Sequence, residues 1–104
     1  MRIPDGTPSE NVNIYNVTMT LANTEYSQVI PNSTKKVIVS VIDGTDGYNY
    51  RLAFVTGKVA TPTAPYLKYY THNEKIFDNM QFIGTTLYFA CSTAGRILQI
   101  EAYI

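Results

Sequence analysis

Apolar and polar residues alternate in short stretches along most of the chain, and this pattern predicts β-strands. In the first clear stretch the apolar residues occupy every second position, at Tyr15, Val17, Met19 and Leu21. A period of two places these side chains on one buried face of a strand and the intervening polar ones on a wet face. Gly, Pro, Asn and Asp separate successive stretches roughly every ten residues, which is typical of an all-β sandwich.

These stretches predict seven or eight strands, one of which is ambiguous. They lie at residues 15–21, 25–30, 36–42, 48–56, 66–71, 75–83, 85–91 and 96–104. Asp78 and Asn79 can divide the stretch at 75–83 into two short pieces. Residues 36–42 are nearly apolar on both faces, as a central strand of a packed sheet requires. No window combines a helical period with a cap and a stop signal.

The predicted fold is an antiparallel β-sandwich of jelly-roll-like form, with a small closed barrel as the alternative. A chain of 104 residues fits one domain of this kind. Residues 1–11 carry Pro4, Gly6 and Pro8 among polar residues, so nothing there is expected to pack. We therefore predict a flexible N-terminal arm at 1–11, followed by a single domain at 12–104.

Charge favours contact with proteins over contact with nucleic acid. Lys+Arg and Asp+Glu both number 8, so the formal net charge is zero. Binding to a phosphate backbone needs a basic surface, which argues against nucleic acid as the partner. A net charge of zero also removes the repulsion that keeps copies apart, so we expect a homo-oligomer.

The start of the chain carries no predicted targeting or membrane segment. It opens on polar residues instead of the apolar core of a signal peptide, and no apolar run approaches the length of a membrane span. We therefore expect synthesis in the cytoplasm and no membrane partner. Cys91 is the single cysteine, so no disulfide can form within the chain.

Few residues in the sequence can support catalysis or metal binding. His72 is the one histidine and lies in a predicted turn, while Cys91 ends an apolar strand, where a buried and inert thiol is expected. Asp43 and Asp46 flank glycines as turn residues do, without the spacing of a calcium loop or the opposed carboxylates of a glycosidase. We predict no catalytic residue, no metal, no cofactor and no enzymatic activity.

Tyrosines supply the remaining candidate site. The chain has 9 Tyr and 4 Phe but no Trp, and Tyr66, Tyr69 and Tyr70 cluster around Lys68 on one predicted strand. These four residues are the predicted interface, which would contact a neighbouring subunit or stack on a sugar ring. The alternative is cross-strand packing in the core. Because tyrosines occupy both faces of the strand, we expect one face to pack and the other to stay free.

Several short motifs resemble those of a group of small virion proteins of tailed phages. They are 22–27 (Ala-Asn-Thr-Glu-Tyr-Ser), 30–31 (Ile-Pro), 34–36 (Thr-Lys-Lys), 51–54 (Arg-Leu-Ala-Phe), 86–89 (Thr-Leu-Tyr-Phe), 94–95 (Ala-Gly) and 100–101 (Ile-Glu). The resemblance spans most of residues 22–103 but leaves out 58–81. It implies a non-enzymatic virion component, on the head or on the tail and its fibres, and it brings no catalytic residues.

The resemblance and the composition together give a functional expectation. A capsid decoration or cement protein, or another head-associated protein, is the first hypothesis, located in the virion after synthesis in the host cytoplasm. Its partners would be other virion proteins and further copies of itself. The alternatives are a tail- or fibre-associated virion protein and a carbohydrate-binding β-sandwich module, for which the partner would be a glycan.

Overall fold

In a computed structural model, the described part of the chain consists of β-strands joined by turns and loops. The structure describes residues 12–42, 49–70, 74–78 and 81–104. Its strands are β1 (Val12–Met19), β2 (Tyr26–Val29), β3 (Lys36–Val41), β4 (Asn49–Ala53), β5 (Leu67–Tyr70), β6 (Lys75–Phe77), β7 (Thr86–Cys91) and β8 (Arg96–Tyr103). The all-β prediction is confirmed. The predicted arm at 1–11 lies outside the described residues.

The strands form two antiparallel sheets of four strands each. Sheet A has the order β1-β8-β3-β6, and sheet B has the order β2-β7-β4-β5. Consecutive strands switch from one sheet to the other, except for β4 and β5, which are neighbours in sheet B. This order makes the fold a jelly-roll-like sandwich, as the sequence predicts, and not a closed barrel.

The core lies between the inner faces of the two sheets. Alternate residues of β3 and β8 are buried there, because a strand points successive side chains to opposite faces. Fully buried side chains come from both sheets and include Met19, Val37, Val39, Leu98, Ile100, Tyr50, Leu52, Leu87 and Phe89. The burial of this apolar surface is the main force that holds the sandwich together.

Some strand boundaries differ from the sequence prediction. β1 ends at Met19, and Leu21 is exposed because the chain turns there. β4 ends at Ala53, where the chain leaves the sheet as a long loop. Among the described residues of the stretch predicted at 75–83, only Lys75–Phe77 form a strand, which ends before Asp78, a residue type that strands disfavour. Phe82 nevertheless returns to the core.

Candidate functional site

The β4–β5 loop, residues 54–66, folds back over the outer face of sheet B. Val59 in this loop is fully buried against Ala53 and Ala90, which alternation places on that outer face. The rings of Tyr66 and Tyr88 pack against the same small cluster. The loop therefore forms a second, smaller apolar core outside the sandwich.

Arg51, on β4 of sheet B, anchors this loop to the sheet. Its side chain projects from β4 to the outer face of sheet B and is only 5% exposed. Its Nε donates to the Val59 carbonyl oxygen at 2.7 Å, and its Nη2 donates to Asn23 Oδ1 at 2.8 Å. Its Nη1 donates to Asn49 Oδ1 at 3.3 Å. One guanidinium thus joins two loops to a strand, and its loss would leave oxygens there without their donors.

A second set of polar contacts ties the β1–β2 loop to the start of the β4–β5 loop. Glu25 accepts a 2.6 Å hydrogen bond from the Thr56 hydroxyl and a 2.8 Å bond from the Gly57 N–H. Gly57 has a φ of 86°, a left-handed conformation that glycine adopts without strain. Asn23, left-handed at φ 52°, donates its N–H to the Cys91 carbonyl oxygen at 2.8 Å. Both loops are therefore anchored to sheet B and to each other.

An apolar pocket of about 320 Å³ opens beside the anchored loop. Its walls are residues 52–55, at and after the end of β4, and residues 65–67, at and before the start of β5. The volume lies at the lower limit for a small-molecule site. The lining is almost wholly apolar, so the pocket offers few groups that could orient a polar ligand.

The structure separates the four residues of the predicted interface. Tyr69 points into the sandwich, where its ring centroid lies 5.9 Å from that of Tyr50. Tyr66 packs against the small outer cluster and lines the pocket. Tyr70 projects outward from β5 and is 62% exposed, with Lys68 Nζ 6.0 Å from its ring centroid. The expectation that one face packs is confirmed, and the interface role of Lys68 and Tyr70 stays a prediction.

The outer face of sheet A carries a row of exposed apolar side chains. The strand register places Ile14, Glu101, Ile38 and Ile76 side by side across β1, β8, β3 and β6. Ile14 is 60% exposed and Ile76 is 45% exposed, while Ile38 is half-buried between its neighbours. We call these three isoleucines the apolar row. Ile38 and Ile76 are direct neighbours in this row, while Glu101 separates Ile38 from Ile14. Exposed apolar side chains grouped on one face are typical of contact surfaces.

A polar ladder on β8 crosses the apolar row. Glu101 accepts a 2.6 Å hydrogen bond from the Tyr103 hydroxyl and a 3.0 Å bond from Gln99 Nε2. The Lys36 Nζ lies 4.6 Å from the centroid of the Tyr103 ring. The one carboxylate in the row is therefore hydrogen-bonded within its own strand, and the isoleucines on either side supply the surface that a contact would bury.

The residues considered for chemistry do not form a reactive site in the described part of the chain. Cys91 is fully buried at the end of β7, and burial raises the pKa of its thiol. A protonated, buried thiol is a poor nucleophile. His72, Asp43 and Asp46 lie outside the described residues. Among the residues that are described, no three His, Cys, Asp or Glu side chains are grouped so as to hold a metal ion.

No protein-family model, curated protein or solved structure matches the chain. Within residues 12–42, 49–70, 74–78 and 81–104 there is no helix long and apolar enough to cross a membrane. What these surfaces can do therefore follows from their own geometry and chemistry.

Sequence reasoning identified neither the contact between Arg51 and Val59 nor the apolar row. A charged residue in an alternating strand predicts a side chain in solvent, so Arg51 gave no sign of its burial. The apolar row did leave a signal, because residues 36–42 are apolar on both faces. That pattern correctly predicts β3 as an interior strand, and the outward-facing Ile38 of β3 is the centre of the row.

Proposed function

We propose that this chain is a non-enzymatic structural protein of a tailed-phage virion: a decoration, cement or other head-associated protein that binds neighbouring virion subunits. The resemblance of its short motifs to those of small virion proteins supports this role. The jelly-roll-like sandwich supports it as well, because that architecture recurs in viral capsid proteins. A position on the tail or its fibres would use the same surfaces and is the alternative within the particle.

The apolar row on sheet A is the observation that carries this proposal. Ile38 and Ile76 are adjacent in the register, and Ile14 lies beyond Glu101 on the same face, so a partner that covers this face would bury all three. The net charge of zero lets many copies approach closely. Glu101 can enter such a contact because its carboxylate already accepts hydrogen bonds from Gln99 and Tyr103.

The anchored loops of sheet B support the same role. Arg51 and Glu25 fix both loops through side-chain hydrogen bonds, which keeps the outer surface of the sandwich in one shape. The buried Cys91 thiol is shielded from oxidants outside a cell. A protein that must persist in a particle benefits from both features.

Purified virions of the source phage provide the test. Mass spectrometry of particles from a density gradient is expected to detect the chain in a fixed ratio to the major capsid protein. Purified protein can then be added back to particles that lack it. Ile76→Lys is expected to weaken binding at least about tenfold, because it places a charge in the buried contact. Val29→Lys, on an exposed site of β2 in sheet B, is the matched control. A chain missing from purified particles would overturn the proposal.

Tyr70 favours a second candidate function. Its exposed ring, with Lys68 beside it on β5, offers a surface on which a sugar ring could stack. The chain would then be a carbohydrate-binding module. Titration with a glycan panel, with Tyr70→Ala as the matched variant, tests this reading. Saturable binding that Tyr70→Ala abolishes, by a protein that is not found in virions, would replace the first proposal.

A further inference from the structure

The edge strands of the two sheets differ in length and charge. The edges of sheet B are β2 and β5, with 4 residues each, and one edge of sheet A is β6, with 3 residues. Two of these short edges also carry a lysine, Lys68 on β5 and Lys75 on β6. Short length and lysine are the usual ways in which proteins prevent an edge from pairing with another chain.

The remaining edge among the described strands, β1, has neither kind of protection. It runs for 8 residues, with the sequence Val-Asn-Ile-Tyr-Asn-Val-Thr-Met, and contains no charged residue, no proline and no glycine. Alternate residues of an antiparallel edge strand turn their backbone N–H and C=O groups away from the sheet. In β1 these groups form an uncharged row of donors and acceptors on the side of the strand that faces away from β8.

We infer that β1 is a self-association edge: it pairs antiparallel with β1 of a second copy across a two-fold axis. The two copies of sheet A, with four strands each, would then form one continuous sheet. This pairing specifies how copies of the chain would associate in the proposed virion role, and it rests on that proposed function. Main-chain hydrogen bonds would supply the affinity, as in other cases where a strand is added to a sheet edge.

The chemistry of β1 favours a second copy as the partner. A charged residue close to the two-fold axis of such a pair would lie beside its own copy, and β1 has no charge to cause that repulsion. The whole chain also has a net charge of zero, so long-range repulsion between copies is absent. An isologous contact of this kind closes at two copies and leaves the other edges unused.

The faces of β1 restrict the register of the pair. Its even-numbered residues face outward and its odd-numbered residues face the core. Directly opposed residues in an antiparallel pair share a face, so an even-numbered residue must oppose another even-numbered one. The axes that pair most of the strand pass through Tyr15 or Asn16. Ile14 then lies opposite Asn16 or Thr18 of the second copy, whose side chain packs against its flank.

Two matched variants of the full chain test this inference. Ile14 and Ile76 occupy opposite ends of the apolar row, on the two edges of sheet A, and both are exposed. Sedimentation velocity over a dilution series is expected to show a dimer. Ile14→Lys should raise its dissociation constant at least about tenfold, because two Ile side chains lose their burial and two charges gain proximity. Ile76→Lys should change it by no more than about twofold.

Hydrogen exchange of the unmodified chain gives a second readout that needs no variant. Amides in β1 should exchange more slowly as the protein concentration rises, while those in β2 should not change. A monomer at every concentration, or equal exchange of β1 at all of them, would overturn the inference. Equal weakening by both variants would also overturn it, since the outer face and not the edge would then be the contact. Dimerisation in solution and presence in the virion are measured separately, so one result can fail without the other.

Discussion

The Nε atom of Arg51 lies 2.7 Å from the carbonyl oxygen of Val59, so a residue of β4 fixes the loop that follows the same strand. The contact spans only eight residues of chain, yet it buries a guanidinium on what would otherwise be an open sheet face. Asn23 accepts a further bond from the same side chain. This arrangement makes the outer surface of sheet B part of the folded structure, and its strength can be measured by substitution.

Replacing Arg51 is expected to destabilise the fold strongly. Arg51→Ala should lower the free energy of unfolding by about 3 kcal/mol, because it removes several donors and leaves their acceptor oxygens unsatisfied. Urea denaturation measures the change. Lys68→Ala is the control, since Lys68 lies opposite Arg51 in the register but is exposed, and it should shift stability by less than about 0.5 kcal/mol. Equal effects at the two positions would show that the guanidinium does not anchor the loop.

The side chain of Val59 should contribute to stability through packing alone, since its hydrogen bond to Arg51 uses the backbone carbonyl. Val59→Ala is expected to lower the free energy of unfolding by about 1–2 kcal/mol, since it removes two buried methyl groups from the cluster with Ala53 and Ala90. The β4–β5 loop should also become more sensitive to limited proteolysis, because the contacts of Val59 with Ala53 and Ala90 keep the loop packed against sheet B. Val55→Ala, at an exposed site in the same loop, is the control and should leave both readouts unchanged. Similar cleavage of all three proteins would contradict the assignment.

Neighbouring tyrosines on β5 should respond in opposite ways. Tyr69→Ala is expected to lower the free energy of unfolding by about 2–3 kcal/mol, because its ring packs on the core next to Tyr50. Tyr70→Ala should change it by less than about 0.5 kcal/mol, since its ring is exposed. Chemical denaturation of the two variants side by side makes the comparison. If Tyr70→Ala were the more harmful one, the assignment of faces along β5 would be wrong.

The buried Cys91 thiol should make the fold less stable at alkaline pH. Burial raises the pKa of Cys91 above its ordinary value of 9.0, and a weaker hydrogen bond from the Thr93 N–H opposes that shift. The folded state therefore keeps a proton that the unfolded chain loses. The associated stability is complete below that ordinary value and is lost as the pH rises from it through the raised pKa.

Urea midpoints measured on both sides of the ordinary thiol pKa of 9.0 test this dependence. The urea midpoint of the unmodified chain should fall as the pH rises past that value, and the midpoint of Cys91→Ala should fall less steeply. Burial also raises the pKa of Tyr50 above its ordinary value of 10.0. The pH series should therefore end below 10.0, so that Tyr50 does not add its own loss of stability. A thiol reagent should modify Cys91 only after unfolding. Rapid labelling of the folded protein would contradict a closed core.

The period of two in the sequence was enough to predict the strands that have one buried face. β1 and β8 were found this way, and the same period separates Tyr69 from Tyr70, because a residue step along a strand reverses the face. The burial of Arg51 could not be predicted, because it depends on a loop that closes over the strand from outside. The two apolar faces of residues 36–42 indicate Ile38, but the rest of the apolar row cannot be predicted, since strand order decides that Ile14 and Ile76 share a row and one sequence does not specify strand order.

Electron microscopy of the source virion, at a resolution that shows side chains, tests the central claim most directly. The claim is that the sandwich functions by binding other proteins, which cover its exposed outer surfaces. The predicted result is density for the chain in many symmetric copies, with Ile38 and Ile76 against a neighbouring subunit. A particle without the chain, or one in which the apolar row faces solvent in every copy, would contradict it.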